Sequence, residues 1–178
     1  NAGRALVIAI NKWDGLDNEH KSDIKETIER RLAFNDFAEI RFISALHGTG
    51  VGELYQSVDI AYEAATQKLS TNELTRILEK AVFDHSPPLV GGRRIKLRYA
   101  HAGGQNPPII IIHGNQTSSV PKHYTRYLEK TFRRKLSLYG TPIRIEYRTG
   151  ENPYAGRKNK LTERQVSKRR RLIKHTKK

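Results

Sequence analysis

The chain has 178 residues and a formal net charge of +15, with 33 Lys and Arg against 18 Asp and Glu, a length that allows one or two domains. It has no cysteine, which excludes disulfides and thiolate metal sites and fits a reducing, cytoplasmic setting. No apolar run reaches the ~20 residues of a membrane-spanning helix, and no secretory signal is visible.

The first element is the apolar run Ala5-Leu-Val-Ile-Ala-Ile10, which reads as a strand buried on both faces. Directly after it stand Asn11, Lys12, Trp13 and Asp14. Ligands of open α/β sheets bind at the carboxyl ends of such strands, and Asn-Lys-x-Asp there is the pattern by which GTPases read guanine. Guanine presents two adjacent donors, N1–H and the 2-amino group, and one ionised carboxylate accepts from both, which is the role expected of Asp14. Adenine has no amino group at C2 and would leave that carboxylate unpaired. Asn11 either donates its amide to the O6/N7 edge or braces the neighbouring loop. The methylene stem of Lys12 lies along the base plane with its charge in solvent, and Trp13 occupies the variable position of the pattern.

A helix is expected from about Glu19 to Leu32, with Ile24, Ile28 and Leu32 on one face covering the sheet. The next strand, Glu39 to Ser44, runs into Ser44-Ala45-Leu46-His47-Gly48-Thr49-Gly50. A Ser-Ala pair at this point, one helix and one strand after Asn-Lys-x-Asp, is where GTPases place a backbone N–H against guanine O6. Ala45 is expected to supply it, flanked by Ser44 and Leu46. Gly50 and Glu53 are placed to cap a helix whose apolar set is Val51, Leu54, Tyr55, Val58, Ala61, Tyr62 and Ala65. Strand, helix, strand, helix makes the trailing half of a doubly wound α/β domain over residues 1–66.

Charge changes sign at this boundary. Residues 1–66 hold 7 Lys/Arg against 11 Asp/Glu, net −4, and the remainder 26 against 7, net +19, which points to two domains with different partners. Ser70-Thr-Asn-Glu73 has the form of a capping box, and its helix carries Leu74, Ile77, Leu78, Ala81 and Val82 before Ser86-Pro87-Pro88. Alternation then predicts a strand over Arg94–Tyr99, with Ile95, Leu97 and Tyr99 on an apolar face and Arg94, Lys96 and Arg98 on a cationic one. Ile109–Ile112 is a more buried strand. Pro121 opens a helix to about Tyr139 that Gly140 stops, and Ile143, Ile145 and Tyr147 alternate with Arg144, Glu146 and Arg148 in a last strand. Helix, strand, strand, helix, strand, with both helices on one face, is the α+β arrangement of a KH-like domain over residues 67–156. No two glycines stand three apart, so the Gly-x-x-Gly clamp of RNA-binding KH domains is missing.

Residues 157–178 form a basic tail with 11 Lys/Arg and one acid, Glu163. Leu161, Val166, Leu172 and Ile173 interrupt the charge, so part of it has room for a short helix. It reads either as a solvated tail or as an arm that contacts RNA phosphates through Arg157, Lys158, Lys168, Arg169, Arg170 and Arg171. The histidines lack metal-ligand spacing, so no metal site is expected. The tyrosines suit core packing, with base stacking an option for Tyr154 alone.

The wording Asn11 to Leu16, Phe42 to Gly48, Tyr99 to Gly104, Pro107-Pro108, His113 to Gln116 and Gly140 to Ile145 resembles the carboxyl-terminal part of the Der (EngA) family. Those are bacterial ribosome-assembly GTPases with two tandem GTPase domains and a terminal KH-like domain. The resemblance implies GTP and GDP as ligands, and large ribosomal subunit and ribosomal RNA as partners. On the KH-like domain it implies contact through surfaces such as Arg94, Lys96 and Arg98. No Gly-x-x-x-x-Gly-Lys-Ser/Thr occurs in the sequence, so Mg²⁺, the phosphate cradle and the catalytic apparatus are expected from an upstream part. A chain that begins at Asn1 then reads as a fragment that does not hydrolyse GTP by itself. The rival expectation is a stand-alone RNA-binding or assembly adaptor whose first 66 residues are a degenerate α/β scaffold.

Overall fold

The computed structural model describes residues 3–33, 35–150 and 162–176. The apolar run forms β1 (Val7–Ile10), followed by α1 (Asn18–Arg31), β2 (Glu39–Phe42) and α2 (Val51–Thr66). β1 and β2 pair in parallel, Val7 with Glu39 through Ile10 with Phe42. β1 is not buried on both faces as its composition predicts: Ala9 is exposed and the rest half-buried, because β2 is its one ladder partner among the described residues. α1 starts at Asp17, whose carboxylate accepts the His20 N–H at 2.8 Å. Its Ile24, Ile28 and Leu32 are only half-buried, so the expected covering face is partly open.

The buried stripe of α2 also differs from the expected one. Ser57, Ala61, Ala64 and Ala65 are inside, while Tyr55, Val58 and Tyr62 are exposed. A small side chain is needed at Ala61 because Gly140 lies directly on it: the φ of Gly140 is +71°, and a Cβ there would run into Ala61. Gly140 also bridges the two parts of the chain, accepting from Leu6 N–H at 2.7 Å and donating to the Phe37 carbonyl at 2.9 Å. Beside it, Arg133 Nη1 donates to Asp36 Oδ1 at 2.9 Å.

The second part consists of α3 (Thr71–Asp84), a small hairpin of β3 (Leu89–Val90) and β4 (Arg93–Arg94), β5 (Lys96–Gly104), β6 (Ile109–Asn115), α4 (Lys122–Leu136) and β7 (Arg144–Thr149). The sheet order is β5-β6-β7, with β5 antiparallel and β7 parallel to the central β6. The core is one cluster in which Leu74, Leu78 and Ala81 of α3 and Leu128, Phe132 and Leu136 of α4 cover Ala100, Ile110 and Ile112 of the sheet; Ala64 from α2 joins it.

Local details depart from the pattern expected of the residues. Ser70 occupies the N-cap of α3, but its side chain makes no capping bond. α4 ends at Leu136 with Ser137, at φ +53°, as its left-handed cap, three residues before the expected stop at Gly140. The strict alternation expected over Arg94–Tyr99 fails at a register shift between Leu97 and Tyr99. The extra residue, Arg98, inverts the facing of the residues after it. Leu97 still packs on the core and Ala100 is fully buried, but Tyr99 turns outward and is 44% exposed. After residues 151–161, α5 spans Glu163–Thr176, so the basic tail is helical over that range.

Phe132 is fully buried among both layers. Phe132→Ala should therefore cost about 3–5 kcal/mol of stability, seen as a lower urea midpoint with an unchanged slope.

Candidate functional site

At the carboxyl end of β1 the chain turns through Lys12, whose φ of +64° is left-handed, into a 3-10 turn over Trp13–Gly15. The second wall is the turn after β2, closed by Ser44 N–H to Thr49 O at 2.9 Å. Two backbone bonds extend the sheet contact beyond the strands: Ile43 N–H to Ile10 O at 2.8 Å and Trp13 N–H to Ile43 O at 3.1 Å.

Asn11 braces both loops. Its Oδ1 accepts the Lys12 N–H at 2.8 Å and the Ala45 N–H at 3.0 Å. Of the two roles open to it, loop bracing is the one the side-chain oxygen performs, which leaves its amide NH₂ for a ligand. The Ala45 N–H, expected to face a base oxygen, is directed at Asn11 Oδ1.

The Asp14 carboxyl lies below the ordinary carboxylate range. The Ser44 hydroxyl is the first cause, then the backbone amide of Asp14 itself, with the charges of His47 and Lys21 adding to it. Ser44 is buried and its oxygen also accepts the His47 N–H at 3.4 Å. His47 Nε2 stands 3.3 Å from Asp14 Oδ2, a partnership that spacing could not reveal because both residues lie on turns.

Together Asn11, Lys12, Asp14, Gly15, Ser44 and Leu46 line an open depression of about 360 Å³. Leu46 is 86% exposed at its rim. Trp13 is not part of the lining. Its ring packs on Phe42 with centroids 4.1 Å apart, and the Lys21 and Lys25 ammonium groups lie 5.8 and 5.9 Å from its centroid. It anchors the turn from beneath. The arrangement offers an ionised carboxylate, a free amide and an apolar rim, a donor–acceptor set that fits the edge of a guanine.

Comparison with known proteins identifies the family. Residues 68–148 match a family model described as the KH-domain-like of EngA bacterial GTPase enzymes, C-terminal. A protein named GTPase Der from Teredinibacter turnerae is 71% identical over 99% of this chain and 38% of its own length. GTPase Der proteins of Ectopseudomonas mendocina and Saccharophagus degradans are 67% and 68% identical, over 36% and 34% of their lengths. The chain belongs with the carboxyl-terminal part of the Der (EngA) family. It spans little more than a third of the length of the curated relatives it matches.

The cationic residues singled out beside this Der-family site are dispersed. Arg94, Lys96 and Arg98 are exposed on β4 and β5. Lys168 and Arg171 are exposed on α5; Arg169 and Arg170 fall within that helix, of which only the backbone is described at those positions. Arg157, Lys158 and Tyr154 lie outside the described residues. No helix among the described residues is long and apolar enough to cross a membrane, and no three His, Asp or Glu among them converge as metal ligands. The sequence contains no Gly-x-x-x-x-Gly-Lys-Ser/Thr phosphate-binding loop.

Ser44→Ala should move the Asp14 carboxyl up toward the ordinary value of 3.8, read by carboxyl-carbon NMR. The sign follows from linkage. A depressed carboxyl stabilises the fold above its unfolded pKa and loses that contribution as pH falls through its folded pKa, so the variant should lose it at a higher pH.

Proposed function

We propose that residues 1–66 are the guanine-recognising half of a GTPase domain, residues 67–156 a KH-like domain and residues 157–178 a basic tail, within a GTPase that converts GTP to GDP and phosphate. The observation that carries this reading is the joining of Asn11, Asp14, Ser44 and Ala45 at the ends of two parallel strands by specific hydrogen bonds. The names of the relatives, GTPase Der, support it.

In this reading Asp14 accepts from guanine N1–H and the 2-amino group, while the Asn11 amide donates toward the O6/N7 edge. The stem of Lys12 and the side chain of Leu46 flank the base plane. Ala45 N–H swings from Asn11 Oδ1 to share itself with O6, and Trp13 keeps the turn seated on Phe42. Bound Mg²⁺ would neutralise charge on the transferring phosphoryl group, held by residues other than those of this chain. The 178 residues alone are then inactive toward GTP.

We assign the complete protein to ribosome assembly in the cytoplasm, with the large ribosomal subunit and its RNA as partners. The support is the net charge of +19 beyond residue 66 and a KH-like match to EngA proteins. Arg94, Lys96 and Arg98, with Arg157, Lys158 and Lys168–Arg171 of the tail, are the proposed phosphate contacts. The same basic half also favours a second reading, an adaptor that binds RNA without using a nucleotide. RNA affinity unaffected by GTP or GDP would select it.

Donor–acceptor logic gives the test. Asp14→Asn places an amide donor opposite position 2 of the base, so the complete protein should lose GTP affinity about 100-fold and gain xanthosine triphosphate, whose C2 carries a carbonyl. Unchanged preference for GTP in that variant refutes the assignment.

A further inference from the structure

The outward turn of Tyr99 creates a feature that the guanine site does not use. Tyr99 of β5 and His113 of β6 are register partners, and their rings stack with centroids 4.4 Å apart and planes 6° from parallel. His101, two residues along β5, completes the group at 5.1 Å from His113. The three rings lie on the sheet face opposite the helices, since the residues alternating with them, Ala100 and Ile112, are in the core.

Their hydrogen bonds fix both tautomers. His101 Nδ1 is 3.0 Å from the Ala102 carbonyl, which only accepts, so this nitrogen carries the proton. His101 Nε2 is then an acceptor, and His113 Nε2–H donates to it across 3.1 Å. Burial first, then the neighbouring His101 imidazole and the Arg148 guanidinium, hold His113 below the usual imidazole range, in keeping with the neutral ring that the hydrogen bonds assign.

The rim of this group is cationic. Arg148 of β7 is the register partner of His113. Lys96, which pairs with Asn115, faces the same side, and Arg98 is extruded at the bulge. All three are exposed. On β7 the outward residues are Arg144, Glu146 and Arg148, so the one acid is outnumbered. A flat, half-exposed ring stack with planes locked in place, bordered by guanidinium and ammonium groups, is complementary to an unpaired base and its flanking phosphates.

We propose that Tyr99, His113 and His101 form a platform on the open face of the β5-β6-β7 sheet that stacks an unpaired base of single-stranded RNA, with Arg148, Lys96 and Arg98 on its phosphates. This rests on the RNA-contacting part of the function proposed above and gives it a site. The site lies on the sheet, not in a Gly-x-x-Gly cleft, and accounts for how a KH-like unit without that clamp holds RNA.

The test is the affinity of the full 178-residue chain for a labelled single-stranded 12-nucleotide oligouridine, by fluorescence anisotropy at about 100 mM salt. Tyr99→Ala should weaken binding about tenfold and Tyr99→Phe should restore it to within about twofold, because stacking needs the ring and not the hydroxyl. His113→Gln, which keeps a hydrogen bond to His101 but removes the ring, should match Tyr99→Ala. Thermal melts verify that each variant is folded. Wild-type affinity in both Tyr99→Ala and His113→Gln, with Lys168→Glu/Arg171→Glu still weakening the complex, would overturn the platform and leave the basic tail as the RNA contact. Absence of binding by the unaltered chain would overturn both the platform and the RNA-contact reading.

Discussion

Asn11 Oδ1 joins two turns separated by 34 residues in sequence, accepting one amide from each. Without a common acceptor, Lys12 N–H and Ala45 N–H would each turn to solvent, and nothing but side-chain packing would set the gap between the loops. With it, the gap is fixed to within hydrogen-bond tolerance, and Asp14 is left opposite the Ser44 hydroxyl. A carboxylate aligned in this way is held below its ordinary pKa and is poised to accept two donors at once. The parallel register of β1 and β2 is a prerequisite, because a shift of one residue would send Asn11 to the other face of the sheet.

The opposite ends of the same two strands are tied to the second part of the chain. Leu6, just before β1, donates to Gly140, and Gly140 donates to Phe37, just before β2. Gly140 thus acts as a backbone clasp between β1, β2 and the loop that follows α4. Its left-handed φ and its contact with Ala61 both demand glycine. The loops of the candidate site and the KH-like core are therefore connected through four-residue strands. A tilt of one part against the other would disturb Gly140, the Arg133–Asp36 pair, the Asn106 N–H to Ala65 O bond at 3.0 Å and the packing of Ala64 in the second core.

Residue pattern made much of this legible. Asn11, Asp14 and the Ser44-Ala45 pair stand out because few chemistries need them at strand ends at this spacing, and the core of α3 and α4 follows from apolar recurrence every three to four residues. The features that escaped the sequence were set by close packing and by single insertions. Tyr55, Val58 and Tyr62 have larger apolar surfaces, yet α2 buries Ser57 and three alanines, one of which, Ala61, lies directly against Gly140. Nothing local marks Ser137 rather than Gly140 as the residue that ends α4. The bulge at Arg98 has no glycine to announce it, so period-two reading placed Tyr99 in the core and overlooked its pairing with His113.

The open face of the sheet also explains why that stack exists at all. β6 carries four consecutive isoleucines, and alternation sends Ile110 and Ile112 inward but Ile109 and Ile111 outward. Ile111 is nevertheless only 6% exposed. Room for its side chain over β5 comes from Gly103, where a Cβ would stand 2.6 Å from Ile111 Cδ1, and His101 is its register partner on β5. The residue paired with Ile111 is the one whose Nε2 holds His113, which in turn stacks on Tyr99. The outward isoleucine and the ring stack thus belong to one arrangement on this face, and a base stacking on Tyr99 would meet rings already held in place, at a lower ordering cost.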